Sequence, residues 1–134
     1  MTLIAASAAT IFVLGLMHLA LTFRGPKLLP RDRELRAQME RSTLVLTRET
    51  TVWRAWIGFN ASHSLGALLF GAVYGYLALV QPAALAGSPF LLGAGGALLL
   101  AYAWLGRRYW FRVPFRGIVL ALVLYAAGVV TMFV

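Results

Sequence analysis

The chain has 134 residues, 61% of them hydrophobic and only 12% charged, which excludes an ordinary soluble domain with a polar exterior. It has no cysteine, and this excludes disulfides, CxxC redox chemistry, thiolate zinc sites, iron–sulfur clusters and covalent c-type haem attachment. The net charge of +8 comes from 12 Lys and Arg against 4 Asp and Glu, all confined to Arg24–Arg54 and Arg107–Arg116, a pattern of positive-inside loops drawn to anionic lipid headgroups rather than of nucleic-acid binding.

A helix needs roughly 20 apolar residues to cross about 30 Å of hydrocarbon. Four segments qualify, at about 2–23, 52–80, 89–105 and 115–134. Irregular backbone facing lipid would leave its polar groups unpaired, so each is expected to be helical. The expected fold is all-α: a single membrane domain over residues 1–134, built as a four-transmembrane-helix bundle with a cytoplasmic amphipathic surface helix between helices 1 and 2.

The first span lacks a basic segment before its apolar run, and its positive charges follow it. A signal peptide has the reverse order, so the span is read as a retained helix. The segment Arg24–Arg54 carries eight Lys or Arg, Arg107–Arg116 carries four, and the loop around "QPAALAGSP" carries none. That split places the basic loops in the cytoplasm and both termini outside, in a multi-pass arrangement.

In the first basic loop, Pro26 and Pro30 break the first helix and Asp32 is suited to cap a new one. Leu35, Met39 and Leu46 fall near one face, while Arg33, Arg36, Glu40 and Arg41 face water. Arg36 and Glu40 are spaced for an i,i+4 pair. The segment reads as a short helix lying on the membrane surface, or as a docking site for a partner, with other membrane subunits as candidate partners of the chain.

The second span offers two faces. Gly58, Ser62 and Gly66 are spaced by four, a small-xxx-small row expected to pack against another helix. Trp53, Trp56, Asn60, His63, Ala67, Phe70 and Tyr74 step alternately by three and four, which makes an unbroken seam for a left-handed helix pair. Trp53, Arg54 and Trp56 mark the cytoplasmic interface. At 1.5 Å per residue, His63 lies roughly 10–13 Å inside and His18, in the first span, roughly 9 Å inside the same leaflet. Thr22 is one turn from His18. His18, Thr22, Asn60 and His63 are therefore expected to form one polar cluster inside the bundle.

Such a cluster has several readings. It can be a hydrogen-bonded clamp between helices. It can be a ligand site, because ionisable side chains inside a membrane often mark function. The site could then hold a b-type haem or another metal, bind a quinone or other amphiphile headgroup, or relay protons. All four acids lie between Asp32 and Glu49, so no carboxylate supports a metal site or a relay, and no metal ligand set is assigned. Ser62 and Ser64 flank His63 but point about 100° away from it on a helix. No nucleophile–base–acid arrangement can be assembled, and no catalytic residue is assigned. The expected protein is non-enzymatic and without a cofactor: an accessory subunit, or a binder of lipid or another hydrophobic ligand. The alternative is a redox protein using His18 and His63 for b-type haem or quinone.

In the third span, Gly93, Gly95 and Gly96 permit close helix approach. The turn "GRRYWFRVPFRG" sets Arg107, Arg108, Arg112 and Arg116 among aromatic rings, as expected of an interfacial belt that contacts lipid headgroups. The fourth span has only Tyr125 and Thr131 as polar side chains and reads as packing material.

Taken together, "LLPRDRELR", "TTVWRAWIGFNASHSLGALLFG" and "RYWFRVP" resemble a small family of uncharacterised bacterial membrane proteins with four predicted helices. The W-x-x-W-x-G-F-N-x-S-H-S-L-G row is the most specific part. The resemblance implies a protein of the bacterial cytoplasmic (inner) membrane and carries no activity or site residue with it.

Overall fold

The computed structural model describes every residue from Met1 to Val134. It contains six helices: α1 (Thr2–Phe23), α2 (Arg33–Arg41), α3 (Val52–Val80), α4 (Pro82–Ala86), α5 (Pro89–Tyr109) and α6 (Arg112–Val130). Four of them, α1, α3, α5 and α6, are long and apolar enough to cross a membrane.

The boundaries follow local chemistry. After α1, Gly25 takes a left-handed conformation (φ +84°) that a side chain would disfavour, and Pro26 prevents the helix from resuming. Asp32 caps α2, its carboxylate accepting from Glu34 N–H at 2.8 Å and Leu35 N–H at 3.4 Å. Ser88 caps α5 by accepting from Leu91 N–H at 3.3 Å, and Pro89 occupies the first turn, where its missing N–H costs nothing. α5 runs one turn beyond the expected end at Leu105, because Arg107 and Arg108 suit the negative end of the helix dipole. α6 likewise starts at Arg112, before the expected Phe115, since Pro114 is tolerated in a first turn.

The chain divides into two compact units. The first comprises Met1–Leu14 and Ala67–Val134. It holds the whole apolar core: Ile4, Ala8 and Ile11 of α1, Ala67, Phe70, Tyr74 and Ala78 of α3, then Leu85, Leu99, Ile118, Ala121 and Tyr125. Close approach between α1 and α3 is centred on Gly71. A Cβ there would lie 2.5 Å from Phe12 Cβ and 2.8 Å from the Ala8 carbonyl oxygen. Ser7, fully buried, donates to the Ala121 carbonyl at 2.7 Å and so ties α1 to α6. Tyr74 and Tyr125 donate to the adjacent carbonyls of Leu91 and Leu92 at 2.7 and 2.9 Å, and their rings pack around Gly95. Tyr125 is thus a specific tie to α5 as well as packing material.

The second unit is Gly15–Gly66. It contains the second half of α1, the basic loop with α2, and the first part of α3. Arg36 Nε donates to Glu40 Oε1 at 2.9 Å, the expected i,i+4 pair, and its guanidinium lies 5.1 Å from the centre of the Trp53 ring. Two sequence expectations are corrected here. Leu46 does not share a face with Leu35 and Met39: α2 ends at Arg41, Ser42 turns extended, and a short antiparallel bridge joins Thr43 to Thr51. Val45 and Leu46 are fully exposed at the tip of that loop. The Gly58–Ser62–Gly66 row is not packed at its first two positions either: Gly58 and Ser62 are exposed, a Cβ on Gly58 would meet nothing within 4 Å, and only Gly66 is half-buried.

Candidate functional site

The seam along α3 points where its spacing requires. Trp53, Asn60 and His63 are half-buried, Ala67, Phe70 and Tyr74 are buried, and Trp56 near the helix start is exposed. Helical register then sets Asn60 and His63 against the second half of α1, which carries His18.

The cluster is built by three side chains. Asn60 Nδ2 donates to the Trp56 carbonyl at 2.8 Å, which turns Asn60 Oδ1 toward His18 Nε2 at 3.0 Å. An amide oxygen only accepts, so His18 Nε2 carries the proton and donates. The His18 and His63 rings meet edge to face, with centroids 5.5 Å apart and planes at 89°. Thr22 is buried, but its hydroxyl donates to the His18 carbonyl at 2.8 Å and is absorbed by its own helix. Of the four residues expected together, His18, Asn60 and His63 meet through their side chains, and Thr22 joins only through the backbone of His18. Ser64, one residue beyond His63, is fully buried and donates to the Asn60 carbonyl at 2.9 Å, while Ser62 turns outward to the Phe59 carbonyl.

This geometry bears on the chemistry. No group of three or more His, Cys, Asp or Glu side chains converges in the chain. Axial ligation of one haem iron by His18 and His63 would require both imidazoles to aim a nitrogen at a shared point. The direct ring contact would have to open for a porphyrin, and His18 would have to give up Asn60 if it bound through Nε2.

Arg107 and Arg108 lie in the last turn of α5, Arg112 starts α6 and Arg116 follows one turn later. All four are exposed, and Arg108 lies 5.8 Å from the Tyr109 ring centre. They form a charged, aromatic-flanked strip rather than an enclosed site. A basic cavity in the first loop, lined in part by Arg31, Arg33 and Arg36, has no counterpart in the sequence reading, where Arg33 and Arg36 appear on the water-facing side of the short helix.

Comparison of the chain with protein-family models, curated proteins and solved structures finds no match.

Proposed function

We propose that this chain is a non-enzymatic integral protein of the bacterial cytoplasmic membrane that receives the polar head of a lipid or another amphiphile at His18, Asn60 and His63. The supporting observation is that these three polar side chains meet on two apolar helices and each remains only half-buried. Ionisable side chains within membrane spans are rare and often mark a site, and a polar headgroup adds hydrogen bonds to rings that are only half-buried. The orientation that goes with this reading puts both termini outside and α2 on the cytoplasmic membrane surface, with Arg107, Arg108, Arg112 and Arg116 against lipid headgroups. In the alternative reading the same imidazoles hold a quinone or b-type haem in a redox protein. The ring contact and the His18–Asn60 bond weigh against haem.

The test is the extract of the purified protein. In mild detergent, the protein should be colourless and retain an amphiphile that mass spectrometry detects at fixed stoichiometry. His18→Ala and His63→Ala should lose it while keeping a cooperative melting transition. An extract identical in the parent and both variants would overturn the proposal. A Soret band lost in both variants would move the assignment to haem.

A further inference from the structure

We infer that the turn between α1 and α2 is a binding site for the phosphate of an anionic membrane phospholipid, with Arg31, Arg33 and Arg36 as its cationic wall. The inference does not depend on the His18–Asn60–His63 reading, because it uses different residues and a different ligand group.

The site starts from chain stiffness. Gly25 reverses the chain after α1, and Pro26 and Pro30 fix φ on either side of a turn closed by Leu29 N–H to the Pro26 carbonyl at 3.1 Å. Asp32 then caps the start of α2. The result is an open cavity of about 600 Å³ lined by Pro26, Leu29, Pro30, Arg31, Arg33 and Arg36. This volume lies in the range typical of small-ligand sites.

The charge in this cavity is largely unneutralised. The single ion pair in the structure is Arg36–Glu40, made through Arg36 Nε. Arg31 and Arg33 have no carboxylate within ion-pair distance. Asp32 spends its carboxylate on the α2 N-terminus, so the cap is occupied and the anion site must rest on the guanidinium groups. Glu34 does not line the cavity. Arg36 is held between Glu40 and the Trp53 ring, which orders one of the three guanidinium groups before any ligand arrives. Guanidinium is the side chain best matched to phosphate, through two parallel N–H donors.

Two features select a lipid over a soluble phosphate. The cavity wall is apolar where it is not arginine, which suits the glycerol and first acyl carbons of a phospholipid. Its first residue, Pro26, is three residues past the end of α1, so it lies within about 10 Å of the span by chain reach alone. A phospholipid phosphate sits at that level of the bilayer.

The experiment is lipid titration of the full chain in zwitterionic detergent, followed by native mass spectrometry. The probe is dioleoylphosphatidylglycerol, with inorganic phosphate as competitor. Arg31→Gln/Arg33→Gln should weaken lipid binding by about tenfold or more, since each fork donates charge-assisted hydrogen bonds. Arg41→Gln/Arg48→Gln removes the same charge from the same loop outside the cavity and should change binding by less than about twofold, as expected of screened surface charge. Equal losses in the two pairs would mean nonspecific attraction and overturn the site, as would no loss in the first pair. Displacement of the lipid by inorganic phosphate at equal concentration would overturn the lipid assignment. Failure here leaves the histidine-dependent extract untouched, so the two proposals fall separately.

Discussion

Gly71→Ala is the sharpest test of the packing. A methyl group at this position would sit 2.5 Å from Phe12 Cβ, 2.8 Å from the Ala8 carbonyl oxygen and 2.9 Å from Phe12 Cα. Two of these are backbone atoms and the third is fixed to the backbone, so no rotamer change can make room. Carbon atoms prefer about 3.5–4.0 Å, so α1 and α3 must part by roughly 1 Å at this level. Forced overpacking typically costs about 1–3 kcal/mol. Because the atoms met are rigid, the upper end applies, and after the better helix propensity of Ala returns up to about 1 kcal/mol the net loss is about 2 kcal/mol. Gly58→Ala is the internal control. It sits in the same helix, gains the same propensity and meets nothing within 4 Å. It should therefore be neutral or stabilising by up to about 1 kcal/mol. Thermal unfolding of both variants in one mild detergent should shift their midpoints in opposite directions. If Gly71→Ala melts at or above the parent temperature, or both shift alike, the close approach at Gly71 is refuted.

Two further substitutions probe the ties between helices. Ser7→Ala deletes a buried hydrogen bond to the Ala121 carbonyl and should cost about 0.6–2 kcal/mol in the same unfolding assay; an unchanged midpoint would show that the bond contributes nothing. Tyr74→Phe with Tyr125→Phe removes the two bonds to Leu91 and Leu92, and amide exchange at the start of α5 should quicken relative to α6. Equal rates in parent and variant would show that those hydroxyls do not hold α5.

What could be read from the sequence was whatever depends on composition or on register within one helix. Four apolar runs became four long helices, Asp32 became a cap, and Arg36 found Glu40 one turn away. The alternation of three and four along α3 correctly aimed Asn60 and His63 at a neighbour, because side-chain direction is set by the helix that carries it. What could not be read depends on the partner. Small residues recur on several sides of α3, and spacing does not say which row the opposing helix will use. Gly58 and Ser62 are as regular as Ala67, Gly71 and Gly75, yet only the second row meets α1, where Ala8 and Phe12 lie. The tyrosine ties were equally hidden, since their acceptors are backbone carbonyls that every residue possesses. Thr22 stays out of the side-chain cluster for a related reason: a hydroxyl in an apolar helix readily bonds the carbonyl four residues back, as it does here with His18.

The burial pattern separates stability from candidate function. All twelve apolar residues of the core belong to Met1–Leu14 and Ala67–Val134. Within Gly15–Gly66, the fully buried positions are Gly15, Thr22 and Ser64, none of them a large apolar side chain. Substitutions in the first unit therefore act through packing, where removing a methyl or adding one changes the folded state directly. Substitutions of His18, Asn60, Arg31 or Arg33 remove hydrogen bonds or charge from partly open positions and leave that core intact. The imidazole pair and the arginines around the loop cavity both lie in the unit without large buried apolar side chains, so the substitutions that test either proposal cost the fold least.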